Sequence, residues 1–185
     1  MDLIVPLVVA LLALAALALW LLALYNRLVA LRNDVDRAWA NVDVVLKQRN
    51  DEVPNLVAVV KGYATHERET LEAVARARAD VAGPGALPDR AAASEQLTTG
   101  VRQLFAVAER YPDLKADQSY LALQRRLSAL EDLLADRREF YNERVRLWNT
   151  RIQEMPDTLL ARRMMAKPRD YFRAEGADRA VPLVG

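Results

Sequence analysis

The sequence predicts an all-α protein, with an N-terminal single transmembrane helix followed by an antiparallel bundle of three to four long helices. Three observations predict it. Residues 3–24 form an apolar run without a charge. Beyond it, apolar residues recur every three or four positions, the spacing of a helix with one buried face. Glycine occurs only 6 times in 185 residues, while Ala, Leu, Arg and Glu abound, a composition that favours helix over sheet.

The first element is Leu3–Leu24, LIVPLVVALLALAALALWLLAL. At 1.5 Å per residue it spans roughly 33 Å, enough for a hydrocarbon core of about 30 Å. Pro6 lies in the first turn, where a missing N–H costs little. Trp20 and Tyr25 stand near the far end, where interfacial aromatics collect. A cleaved signal peptide would need a basic n-region and a small-x-small cleavage site; Asp2 is the only charge before this run, and a helical pattern follows it directly. The reading is an uncleaved anchor over residues 1–25 in the cell membrane, crossing once. Arg27, Arg32 and Arg37 follow the anchor and no basic residue precedes it, so the charge bias places the C-terminal domain in the cytoplasm.

The bundle is expected over residues 26–160. Its first stripe is Leu28, Leu31, Val35, Ala38, Val42, Val45 or Leu46, Val53, Leu56, Val60 and Tyr63, fading after Ala79. Pro54 interrupts the stripe without shifting its phase, which predicts a kinked helix rather than a loop. Asp51 is a candidate cap should the helix restart there. Gly83-Pro84-Gly85 to Leu87-Pro88 predicts a reversal, with Asp89 as the next N-cap. A second stripe, Ala93, Leu97, Val101, Leu104, Phe105 and Ala108, runs to Tyr111-Pro112. Asp117 is the expected cap of the last long helix. Its seam is Tyr120, Leu123, Leu127, Leu130, Leu134, Tyr141, Val145, Trp148, Ile152 and Met155, with Arg137 or Arg138 in a gap. Pro156 ends that helix, and residues 161–185 read as a short helical turn and a mobile tail.

Charge and composition narrow the function. Lys and Arg number 26 against 25 Asp and Glu, without the basic excess of a nucleic-acid binder. The chain has no cysteine, so disulfides, thiolate metal sites and thiol catalysis are absent, as is a lipid-bearing Cys after the apolar run. The single histidine, His66, has Glu67 beside it, but adjacent helical residues diverge and no second His completes a metal set. Glu67, Glu69 and Glu72, and Asp132 with Asp136, lie among Arg68, Arg76, Arg137 and Arg138 at the spacing of surface charge pairs. No phosphate loop, dinucleotide fingerprint or nucleophile elbow is present. No catalytic, cofactor or metal residue is therefore assigned. Asn26, Asn33, Asn41, Asn55, Asn142 and Asn149 either fix register in a helical seam or face water.

Residue patterns then point to a family. Tyr25-Asn26-Arg27-Leu28-Val29, Val35, Ala38-Trp39, Asp43-Val44 and Leu46-Lys47 begin the match. Pro54-Asn55-Leu56-Val57, Val60-Lys61-Gly62-Tyr63-Ala64 and His66-Glu67 are its densest part. Ala108 to Ala116, Leu123-Gln124, Glu131, Arg138, Phe140-Tyr141-Asn142, Val145, Asn149, Pro168 and Tyr171-Phe172 complete it. Over residues 25–172 the chain resembles the LemA family. The resemblance implies a membrane-associated protein of long antiparallel helices, with no established activity and no catalytic residues. Val53 stands where Ile is expected and Met155 where Phe is usual.

The functional expectation is a non-catalytic interaction or scaffold module at the lipid bilayer, meeting protein partners or copies of itself, and not nucleic acid. One alternative is a lipid-sensing module using Arg162, Arg163, Lys167 and Arg169 near Met164, Met165, Tyr171 and Phe172. Another is a hydrolase using His66 and Glu67.

Overall fold

The computed structural model describes residues 4–64 and 66–173. These form six helices and no strand: α1 (Ile4–Tyr63), α2 (Arg68–Ala82), α3 (Leu87–Ala108), α4 (Pro112–Ala116), α5 (Gln118–Arg151) and α6 (Asp157–Arg163). The chain divides into two compact units: an anchor unit, Met1–Arg37 with Glu143–Arg169, and a bundle unit, Ala38–Asn142 with Asp170–Gly185.

In the bundle unit, the stripe on α1 is buried as its spacing predicts at Ala38, Val42, Val45, Leu46, Val53, Leu56 and Val60, while Tyr63, its last expected member, is exposed. Val53, Leu56 and Val60 share one core with Val74, Ala77 and Val81 of α2, Leu97, Val101 and Leu104 of α3, Leu114 of α4, and Tyr120 and Leu127 of α5. Each such side chain contributes roughly 1.5–3 kcal/mol when fully removed from water. Helices α1 and α5 run antiparallel. Trp39 packs on Tyr141 with ring centroids 5.6 Å apart. Further along, Arg49 bonds Glu131 at 2.8 Å, Glu52 pairs with Arg126 at 3.2 Å, and the Tyr63 hydroxyl donates to Asp117 at 3.0 Å. The two residue numbers of each pair add to about 180, the signature of one unbroken antiparallel register.

Pro54 sits inside α1, and the helix passes through it. A proline has no N–H, so the carbonyl four residues back, that of Asn50, loses its helical donor. Arg78 of α2 replaces it, donating from Nε to the Asn50 carbonyl at 3.0 Å. The interruption comes after Pro54 but earlier than the stripe suggests. The first helix does not run on to Ala79: α1 ends at Tyr63 and α2 starts afresh at Arg68. The reason is packing. Val74, Ala77 and Val81 belong to the same core as Val53, Leu56 and Val60, which a helix continuing straight would carry them away from.

Helices α2 and α3 approach closely where α3 has Gly100; a Cβ there would lie 2.8 Å from Val74 Cγ2. Two predicted boundaries shift. Helix α3 begins at Leu87 with Pro88 in its first turn, so Asp89 lies inside that turn rather than capping it. It ends at Ala108, three residues before Tyr111. Asp51 lies inside α1 and caps nothing. Asp117 does cap α5, its Oδ1 accepting from the Tyr120 N–H at 2.9 Å.

In the anchor unit, residues 4–23 of α1 are exposed throughout, Leu24 is half-buried and Leu28 fully buried. Val35, Val145, Trp148, Ile152 and Ala161 are the other buried apolar residues here. Met155, expected on the α5 seam, lies beyond the helix end at Arg151 and is 69% exposed. Helix α6 closes with a pair of backbone hydrogen bonds: the Ala166 N–H donates to the Ala161 carbonyl at 2.9 Å and the Met165 N–H to that of Arg162 at 3.1 Å. Met165 occupies the left-handed position of this motif, with φ 51°, where glycine is usual. That backbone costs a residue with a Cβ about 1 kcal/mol.

The C-terminal segment is tied down as far as the structure describes it. Trp148 Nε1 donates to the Lys167 carbonyl at 2.9 Å. Asn149 pairs with the backbone of Arg169 twice, accepting from its N–H at 2.8 Å and donating to its carbonyl at 2.9 Å. Within the bundle unit Asn142 treats Phe172 in the same way, at 2.8 and 3.3 Å, and the Tyr141 hydroxyl donates to the Asp170 carbonyl at 2.9 Å. The mobile tail expected from residue 161 is thus held through residue 173; residues 174–185 lie outside the described part.

Candidate functional site

The most developed polar constellation is inside the bundle unit. Arg49 of α1 has no exposed surface. Its Nη1 donates to Thr98 Oγ1 and to Glu131 Oε1, both at 2.8 Å. Its Nη2 donates to Ser94 Oγ at 2.8 Å and to the Ser94 carbonyl at 3.2 Å. Ser94 and Thr98 lie one turn apart on α3 and face the same way. Thr98 also stands 3.0 Å from the second Glu131 oxygen and 3.1 Å from the Ser94 carbonyl. Four side chains from α1, α3 and α5 therefore form one network around a guanidinium that is always charged.

An isolated buried charge is very costly, and here a carboxylate and three neutral acceptors meet Nη1 and Nη2, while the buried Nε has no partner. Such a network adds little net stability over an apolar core, but it is satisfied in only one alignment of the three helices. It holds no free nucleophile: both hydroxyls are committed, and the carboxylate faces the guanidinium. Its chemical capacity is to fix register.

Sequence reading missed Arg49, although a signal existed. The α1 stripe steps through 42, 46, 53, 56 and 60, and position 49 is the empty step. Ser94, Thr98 and Glu131 likewise fall on the seams of their helices. Polar seam positions on three helices, one on α1, two on α3 and one on α5, with opposite charges on α1 and α5, mark such a network.

The gap anticipated at Arg137 or Arg138 is filled by Arg138. Its guanidinium lies 4.9 Å from the Phe172 ring centre and 3.5 Å from Glu95. Phe172 is buried beside Trp39, which also carries the Arg90 guanidinium at 5.1 Å; Arg90 pairs in turn with Asp43. Arginines thus stack on aromatic faces on both sides of this cluster. Of the asparagines, Asn142 and Asn149 are the half-buried clamps described above, and Asn26, Asn33, Asn41 and Asn55 face water.

His66 is exposed at the turn after α1. Glu67 turns instead to Arg110 at 2.8 Å and to the Tyr111 hydroxyl at 3.5 Å. The two are not brought to a common centre. Glu72 takes Arg68 at 2.7 Å and Arg76 at 3.9 Å, and the Arg68 hydrogen bond, followed by its charge, holds the Glu72 carboxyl below its ordinary value. Asp132 and Asp136 are exposed. Among the described residues, no three His, Cys, Asp or Glu cluster in a way that could hold a metal ion.

These features define a class: a membrane-associated helical protein, with one apolar N-terminal helix and a bundle whose helices are joined by an ion pair on a fully buried arginine. The chain belongs to the LemA family, whose match covers residues 38–185. It is also similar to magnetosome proteins MamQ 1 and MamQ 2 of Paramagnetospirillum magneticum, 24% identical to each over 92% of this chain and 72% of theirs. MamQ of Magnetospirillum gryphiswaldense is 23% identical over the same shares.

Proposed function

We propose that the protein is a non-catalytic scaffold tethered to the membrane by residues 1–25, offering the polar faces of a register-locked bundle to protein partners or to further copies of itself. The observation that carries this reading is the Arg49 network. It spends the most concentrated polar chemistry of the interior on alignment, which suits a part that must hold its shape against a partner. The names of the similar proteins state a cell structure and no reaction, which also favours a building role.

In-membrane crosslinking of the full chain tests the reading. Defined adducts that disappear when Arg49 is replaced are the expected result. A monomer without specific adducts overturns it.

The C-terminal part is proposed to face the cytoplasm. Arg27, Arg32 and Arg37 support this, as does the balance of the anchor unit, with ten Lys and Arg against six Asp and Glu. Protease protection in spheroplasts checks it: a protected domain is expected, and digestion from outside reverses the assignment.

A further inference from the structure

We propose that residues 155–167 form a foot that rests in the headgroup layer of the bilayer crossed by α1 and contacts anionic lipid. The proposal depends on the membrane anchor and not on the scaffold reading.

Three observations carry it. The first is the exposed side of α6 and its two flanks. In α6, Asp157 and Ala161 are buried, at 1% and 2% exposure, while Leu159 is 62% exposed on the outward side. Met155 before the helix and Met165 after it are 69% and 83% exposed. The exposed surface of this segment therefore sets the large apolar groups Met155, Leu159 and Met165 beside the exposed Arg162 and Arg163.

The second is Met165 itself. Its backbone takes the left-handed conformation at the position where glycine would relieve the strain and expose no apolar group. In water methionine is the worse choice on both counts. Against acyl chains its thioether gains burial.

The third is location and charge. The segment belongs to the anchor unit, whose only chain besides α1 is residues 143–169. Leu24, the last residue of the apolar run, is already half-covered, and Leu28 is completely so. The covering segment therefore reaches the level where α1 leaves the bilayer. Arg162, Arg163 and Lys167 are exposed there, and among the described residues none has an ion-pair partner. Apolar side chains interleaved with free cations match an anionic interface, with the apolar groups at the acyl boundary and the cations among phosphates.

The absence of cysteine allows a direct test. Single variants Leu159→Cys, Met165→Cys and Val44→Cys of the full chain carry an environment-sensitive fluorophore. Each is reconstituted in phosphatidylcholine vesicles, with or without phosphatidylglycerol, and quenched by a lipid-borne quencher. Val44 is 55% exposed and twenty residues past Leu24, about 30 Å along the helix, so it serves as the aqueous control away from lipid. Several-fold stronger quenching at 159 and 165 than at 44, deepened by phosphatidylglycerol and lost in Arg162→Glu/Arg163→Glu, is the expected result. Quenching equal to that at 44 overturns the proposal. So does quenching indifferent to phosphatidylglycerol, or, in the unlabelled Met165→Cys variant, a disulfide formed between copies in the vesicle. Because Leu159 and Met165 are exposed, the labels leave the core intact, and an unchanged helical circular dichroism spectrum verifies it.

Discussion

Along α1, residues 4–23 leave every side chain exposed, whereas from Leu28 to Val60 one side chain in three or four is wholly covered. Both stretches are helix, and both are rich in Leu, Val and Ala. In the first, the apolar groups surround the axis, and lipid is the medium that accepts them. In the second they keep to one stripe, and only protein can cover that stripe. Periodicity, rather than hydrophobicity, distinguishes a span from a bundle helix.

The contrast can be broken most severely at Arg49. Arg49→Ala empties the fully buried guanidinium site and leaves the half-buried Glu131 facing the Thr98 hydroxyl without its cation, and should lower bundle stability by about 2–5 kcal/mol. Denaturant unfolding in detergent measures it. The double change Arg49→Met/Glu131→Leu should recover most of the loss, and failure to recover would show that the pair does more than align helices.

Next is a matched pair on the one helix. Leu56→Ala should cost roughly 2–5 kcal/mol, because Leu56 is fully buried. Leu12→Ala, 65% exposed within the bundle's own helix, should leave the same unfolding midpoint within about 0.5 kcal/mol. Equal effects would erase the distinction between the stretches.

The Pro54 carbonyl gap sharpens it further. Arg78→Met should cost about 1.5–3 kcal/mol, the worth of a charged donor to a buried carbonyl. In a Pro54→Ala background, α1 supplies its own N–H to Asn50 and the cost of Arg78→Met should shrink. A double-mutant cycle reads that coupling.

Gly100→Ala places a methyl against Val74 and should cost about 1–3 kcal/mol by overpacking, seen as a lowered Tm.

The smallest effect belongs to Asp117, at the far end of the covered stretch. The Tyr120 N–H, and after it the Tyr63 hydroxyl, hold its carboxyl below the ordinary value. A lowered folded pKa gives stability that is full above the ordinary carboxylate range and is lost as pH falls through the folded value. The stability difference between wild type and Asp117→Asn should therefore fade as pH drops below that range, and a pH-independent difference would contradict it.

What the sequence made legible follows from the same physics. The anchor and the stripes were readable because hydrophobic period survives folding. Asp117 was readable as a cap because capping is local. Arg49 was not, since a charged residue between apolar ones looks solvated until its acid from another helix is known. The stop at Tyr63 was hidden as well. Pro54 is the stronger local breaker, yet Arg78, remote in sequence, repairs it, while the real turn arises from where α2 must pack. The clamps of Asn142 and Asn149 were half-visible: the residues stood out, but a backbone partner leaves no mark of its own in a sequence.

The fixed register between α1 and α5 constrains how such a chain can change length. Trp39, Arg49, Glu52 and Tyr63 each meet one counterpart on the returning helix. One residue inserted between Trp39 and Arg49 would rotate everything beyond it by about 100° and advance it by about 1.5 Å, away from every counterpart at once. A compensating insertion between Glu131 and Tyr141 would restore the spacing but not the facing. Growth or loss is tolerable only in near-whole turns made on both helices together, so relatives of this bundle should differ in length by paired blocks there and by single residues only in the connections.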